Sequence, residues 1–185
     1  HFDSTHRMFQ KIFLFHLYWC NLMPNKIHNM AITLKQITSY QQADLEELYS
    51  MIFHFYKEYD SLHSISKTSI GATIKQLIKH PDNGSIQYVY NEKNEIIGYT
   101  ILIKYWSNEY KGYILFIDEL YIKPTMRSLG YGQATLKLIE KTFSNVTAFA
   151  LEVSPKNNKA QNLYEKLGFK LNKNKTLLKT NLTHP

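Results

Sequence analysis

The spacing of apolar positions changes along the chain between two and about 3.6, and each change predicts an element. Residues 31–37, AITLKQI, alternate apolar with polar and predict a half-buried strand. Leu45, Leu48, Ile52, Phe55, Tyr56 and Tyr59 then recur at helical spacing, behind Ser39 and Gln42, which have the spacing of a capping box. Ile70, Ile74, Leu77 and Ile78 predict a second helix over 67–79, ended by Pro81 and the DNG turn. The period returns to two in SIQYVYN, IIGYTILIKYW and YILFIDELYI, and the stretches between them, NEKNE and SNEYKG, read as tight turns of an antiparallel meander. A helix with Leu136, Ile139 and Phe143 on one face follows, then the strand TAFALEV. Next comes a short helix, NKAQNLYEKLG, with Gly168 placed to cap its C-terminus, and Phe169 onward predicts one or two closing strands. With no internal repeat and no linker between globular halves, the pattern describes one mixed α/β core of roughly 150 residues.

Residues 1–29 do not continue this pattern. KIFLFHLYWCNLM is apolar on every side of a would-be helix, so such a helix needs cover. Arg7 and Lys11 precede it as charges precede the apolar part of a signal peptide, but His16 interrupts the run and no small-residue cleavage site follows. With Met30 standing just before the first strand, we expect 1–29 to be an extension outside the core fold and 30–185 to be the domain. No apolar run reaches the roughly 20 residues that span a bilayer.

Composition narrows the function classes. A hydrophobic content of 44% argues against disorder. The net charge of +7 favours anionic ligands, yet the cations are scattered, and the denser patch KLNKNKTLLK reads as a solvated hairpin. Without an RNA-reading motif, a nucleic-acid binder is not expected. The one cysteine, Cys20, excludes an intrachain disulfide and suits a reducing compartment such as the cytoplasm. None of the eight histidines has metal-site spacing, so no metal is expected.

The stretch TMRSLGYGQATLKLIEK, residues 125–141, holds the densest chemistry. Pro124 stops the preceding strand, and Arg127 through Gly132 lead into a helix whose first amides lack internal partners and sit at the positive end of its dipole. Such a terminus binds anions, and glycine at 130 and 132 removes the Cβ atoms that would hold phosphate oxygens off those amides. A plain turn remains the alternative on spacing alone. The Walker pattern and the full G-x-G-x-x-G are both absent, position 135 being Thr135.

Arg127, Gly130 and Gly132 match Q/R-x-x-G-x-G/A, and in this the chain resembles the GNAT superfamily of N-acetyltransferases. FIDELYIKP before the motif and LEVSPKNNKAQNLYEKLGF after it look like that family's fourth strand and its fifth strand with the following helix. The likeness runs over about residues 31–180; Ser128 departs from it where many members carry glycine. The resemblance implies a mostly antiparallel sheet of about six or seven strands flanked by about four helices. It also implies acetyl-coenzyme A as cosubstrate: main-chain groups of Leu120 and Ile122 beside its pantetheine arm, amides of Leu129, Gly130, Tyr131, Gly132 and Gln133 on its pyrophosphate, with Arg127 nearby, and Asn157 as a further hydrogen-bonding partner. Tyr164 matches the tyrosine that often protonates the departing thiolate. Each has an ordinary reading too: Arg127 as a solvated cation, Asn157 as a helix cap, Tyr164 as a packed ring.

Acetyl transfer needs a neutral amine, and an amine of pKa near 10.4 at pH 7 reaches that form at a cost of about 4 to 5 kcal/mol. Glu119 is the best carboxylate to act as base or to bind the amine, with a structural ion pair as the alternative. Strand alternation sends Asp118 and Glu119 to opposite faces unless a bulge intervenes. HFYKEYD and the segment from Tyr105 to Tyr110 are candidates for receiving a cationic amine, be it a small molecule or a protein. The expected function is transfer of an acetyl group from acetyl-coenzyme A to a primary amine in a ternary complex, in a chain compatible with a homodimer. A non-catalytic acyl-coenzyme-A-binding or protein-interaction module on the same scaffold is the alternative.

Overall fold

The computed structural model describes residues 31–40, 45–59, 65–172, 177 and 179. The extension expected at 1–29 lies outside them, as do Gln42 and residues 173–176. Ile32 to Pro185 make one compact unit. Its elements are β1 (Thr33–Gln36), α1 (Leu45–Tyr59), α2 (Lys67–Lys79), β2 (Gly84–Tyr90), β3 (Ile96–Ser107), β4 (Gly112–Ile122), α3 (Tyr131–Thr142), β5 (Ala148–Leu151) and α4 (Asn158–Lys166). Short 3-10 turns precede β2 and follow β4.

The strands line up in chain order, β1-β2-β3-β4-β5, antiparallel through β4, with β5 parallel to β4. Side-chain chemistry makes the hairpins tight. In NEKNE, the Asn91 side-chain oxygen accepts from the amides of Lys93 at 3.0 Å and Glu95 at 2.9 Å, so the turn closes on its own first residue. The parallel step to β5 requires a crossover, which α3 supplies.

Two cores follow from the alternation. Tyr88, Tyr99, Ile101 and Tyr121 pack with Leu48 and Ile52 of α1 and Ile70 and Ile74 of α2 on one face. Leu102, Leu115 and Ile117 pack with Leu136 and Ile139 of α3 on the other, where Leu163, Tyr164 and Leu167 of α4 lean against them. The helical stripes read from the sequence are buried or partly buried except at Tyr59, which is exposed at the end of α1.

The sheet has five strands among the described residues, where about six or seven were expected; Phe169–Asn172 are irregular as the chain leaves α4 through a Schellman turn, and most of the stretch expected to form closing strands lies outside the described residues. Gly168, at φ +91°, sends its amide to Glu165 and passes the Phe169 amide to the Tyr164 carbonyl, both at 3.0 Å. The capping box expected from Ser39 and Gln42 lies partly outside the described residues, which resume at Leu45 in α1.

Candidate functional site

The strand β4 is interrupted where chemistry is expected. Ile101 faces Glu119 across the ladder and Leu102 faces Ile117, so Asp118 is an extra residue, a bulge. The bulge breaks strict alternation, and Asp118 and Glu119 line the same narrow cleft of about 80 Å³ with Ile52, Tyr56, Ile70 and Ile101. On the other edge of β4, pairing with β5 covers only Ile114 to Ile117. From Asp118 to Ile122 the two strands part, and among the described residues no strand pairs with that edge of β4.

Which groups point out of that edge follows from the ladder. The Lys123 amide donates to Ile97 of β3 and the Glu119 carbonyl accepts from the Thr100 hydroxyl, so residues 119, 121 and 123 turn their main chain toward β3. Alternation then turns Leu120 and Ile122 outward. One outward group is taken: Arg127 Nε donates to the Ile122 carbonyl at 2.8 Å.

Glu119 is buried, with 6% of its surface exposed. Burial lifts its pKa from 4.5 to about 7, against hydrogen bonds from Tyr99 and Tyr56 that favour the charged form, while the charge of Asp118 adds to the rise. The Tyr99 hydroxyl donates to Glu119 Oε2 at 2.6 Å. Asp118, more open to solvent, is raised by desolvation and then by Glu152, which follows β5 directly opposite the bulge. A carboxyl titrating near 7 is half-ionised at neutral pH, the state in which it can take a proton.

The glycine loop lies beyond β4. Ser128, Leu129 and Gly130 are exposed, so a ligand can reach them. Gly130 is the first residue of the α3 cap, at φ +96°, a conformation that glycine adopts without strain. No side chain caps α3, and among the described residues Ala134 is the first of this stretch whose amide finds a backbone acceptor, the Gly130 carbonyl at 3.0 Å. A Cβ added at Gly132 would meet only Leu163 Cδ2, at an ordinary 3.7 Å. Protein packing does not require the second glycine; an approaching ligand would. Ser128 stands at φ +63°, left-handed backbone that glycine adopts more readily than serine, and its hydroxyl accepts from Lys159 Nζ of α4 at 2.7 Å.

Arg127 is held by protein. Its Nη atoms form a bidentate pair with Glu58 of α1, Nη2 to Oε2 at 2.8 Å, and its guanidinium lies 5.3 Å from the Tyr121 ring centroid. That partner lowers the Glu58 carboxyl below its ordinary range. Asn157 caps α4, its side-chain oxygen accepting from the Ala160 amide at 3.1 Å. Tyr164 packs edge-on against Phe169, and burial raises its pKa above 10. It sits on the α3–α4 face and Glu119 on the α1–α2 face, with the parted β4–β5 edge between them.

Residues 43–169 match the family described as Acetyltransferase (GNAT) family. The chain belongs to this family. Among solved structures, a possible acetyltransferase from Clostridium difficile 630 is similar with a TM-score of 0.67 and 17% identity, over 83% of this chain and 99% of that one. An integron cassette protein from the mobile metagenome of Cole Harbour Salt Marsh follows at 0.64 and 25%, over 82% and 91%. The aminoglycoside N-acetyltransferase AAC(6')-Iy in complex with CoA gives 0.63 and 13%, over 82% and 96%. No curated protein matches.

Within this GNAT chain, the residues that sequence reasoning missed are partners across the fold. Tyr99 was read only as a strand residue, and Tyr56 as part of a buried stripe and of the acceptor segment HFYKEYD without a link to Glu119; both hydrogen-bond Glu119. Glu58 and Lys159 hold the loop from α1 and α4, at 69 and 31 residues' separation. Nothing local marks such pairs. Of the proposed acceptor segments, Tyr56 reaches the cleft, whereas Tyr105, Trp106 and Tyr110 are exposed toward the β3–β4 hairpin.

Proposed function

We propose that the chain is an acetyl-coenzyme-A-dependent N-acetyltransferase that moves an acetyl group to a primary amine in a ternary complex. The observation that carries this reading is the buried Glu119 carboxyl, titrating near 7 in a cleft that meets the edge of β4 where it parts from β5. The residues present fit the cosubstrate. The uncapped amides of Leu129 to Gln133 would hold its pyrophosphate, with room that the small side of Gly132 leaves. Main-chain groups of Leu120 and the Ile122 amide would pair with its arm as an added strand does. The Asn157 side-chain oxygen is used as the α4 cap, which leaves its amide nitrogen to donate to the cosubstrate. When bound, the cosubstrate supplies an activated acetyl thioester.

The chain's own part is proton handling and placement. Glu119 accepts a proton from the entering ammonium, directly or through a water, and offsets much of the cost of the neutral amine. A C–N bond forms and the C–S bond breaks. Tyr164, still protonated at neutral pH because burial raises it, then supplies a proton to the sulfur, and the second proton lost by the acylated nitrogen replaces it on the Tyr164 oxygen. An amide of the β4 edge faces the developing oxyanion. Arg127 acts through its clamp on Glu58 and Ile122, which fixes the loop against β4.

The test is thiol release from acetyl-coenzyme A across a panel of primary amines. At least one amine class should give turnover, Glu119→Gln should lower kcat/KM at least about 100-fold, and Tyr164→Phe should lower it about tenfold or more. A panel without turnover, or full activity in Glu119→Gln, contradicts the proposal.

A further inference from the structure

Three carboxylates meet where the sheet parts. Glu119 is at the floor of the cleft, and Asp118 is at its mouth. Glu152 directly follows Leu151, the residue paired with Ile117, so it lies across from Asp118 at the start of the gap. Elsewhere the acids of this face are neutralised: Glu46 by Lys67, Glu47 by Lys123 and Glu58 by Arg127. Among the described residues no lysine or arginine forms an ion pair with Asp118, Glu119 or Glu152. The rest of the cleft lining is mostly isoleucine, Ile52, Ile65, Ile70, Ile86 and Ile101, with Tyr56 and Thr73 among them.

These features have a consequence for the acceptor, given the transferase reading on which this inference rests. A base needs one carboxyl, and Glu119 supplies it. In an unbroken strand Asp118 would have faced away; the bulge turns it to the same cleft instead. Two like charges beside each other, with no resident cation, raise one another's proton affinity and cost stability until a cation arrives. A monoamine, once it has surrendered its proton to Glu119, carries no charge for the mouth. An amine with a second ammonium does, and an unbranched carbon chain suits the mostly isoleucine lining of the cleft.

We infer that the acceptor is a slender dicationic amine, with one nitrogen acetylated over Glu119 and a second, still charged, held at the mouth by Asp118 with Glu152 beside it. Asp118 is then a specificity residue, and its charge decides which amines bind.

The experiment compares 1,4-diaminobutane with 1-aminobutane, probes equal in carbon chain and different in one charge. Calorimetric binding of each to the full chain is read alongside thiol release from acetyl-coenzyme A. The expected result is diamine binding at least tenfold tighter, and a diamine-to-monoamine ratio of kcat/KM that falls at least tenfold in Asp118→Asn, chiefly through KM. Glu152→Gln should lower the ratio in the same direction, and serves if Asp118→Asn fails to fold. Equal binding of the two amines, no binding of either, or a ratio unmoved by both variants overturns the inference. Turnover of the monoamine in that case leaves the transferase reading standing, whereas diamine-selective binding without thiol release from any amine removes that reading and keeps the subsite.

Discussion

At Glu119 two opposing effects set the proton affinity. Burial raises it, the Tyr99 and Tyr56 hydroxyls lower it, and burial wins, leaving a value of about 7. The reactive form is the carboxylate, so kcat/KM should rise with pH along a limb centred near 7. Tyr99→Phe removes a donor to the charged form and should move that limb to higher pH; a limb that stays in place or moves down contradicts the assignment. The same shift has a stability consequence of fixed sign. The folded state holds the proton more tightly than the unfolded chain, so the buried carboxylate begins to cost stability as pH rises above 4.5, and the cost is complete above about 7. Glu119→Gln should therefore be more stable than the parent at pH 8, by about 3 kcal/mol at most, and no more stable at pH 4. Urea melts at the two pH values measure it.

At the scale of elements, β4 and the loop after it do most of the positioning. The strand bends at Asp118, leaves β5 after Ile117, and feeds a loop fastened on both sides. Arg127 ties that loop to α1 and Lys159 ties it to α4. Arg127→Leu should cost about 1 kcal/mol, the pair being partly solvent-exposed, and should also weaken coenzyme A binding as the amide row loses its anchor. A thermal melt with a coenzyme A titration checks both, and unchanged binding would show that the clamp does not support the cradle. Much of this region was readable in advance. The glycines and Pro124 announced the turn and the helix start, because both residue types act through their own backbone. Leu120 and Ile122 came from the family resemblance, and the ladder with β3 gives the reason their main chain faces outward. The bulge was not readable, since a single extra residue is decided by pairing with β3 and leaves no mark in YILFIDELYI. The closing strands expected from Phe169 onward do not begin at Phe169–Asn172, where the Schellman turn and the Phe169–Tyr164 ring contact hold the chain to α4, and most of the rest of that stretch lies outside the described residues.

At the scale of the molecule, one sheet separates two chemical halves. The α1–α2 face holds the carboxylate cleft, the α3–α4 face holds Tyr164 and the amide row, and they communicate where β4 and β5 part. The order of elements was legible because each helix buries one stripe and each strand one period; the pairing of Glu119 with Tyr99 and Tyr56 was not, because it joins distant parts of the chain. The central claim is that the N-terminus of α3 grips a diphosphate, and Gly132 separates this from a merely structural turn. An aspartate in the first turn of a helix is favourable to the helix, and its Cβ meets no close neighbour here, yet its charge repels phosphate. The decisive measurement is a calorimetric titration of coenzyme A into the parent chain and Gly132→Asp, with a thermal melt of each. The account predicts that the parent binds, and that the variant melts at or above the parent's temperature while binding at least about 100-fold more weakly. A parent that does not bind, or a folded variant that binds as tightly as the parent, contradicts it.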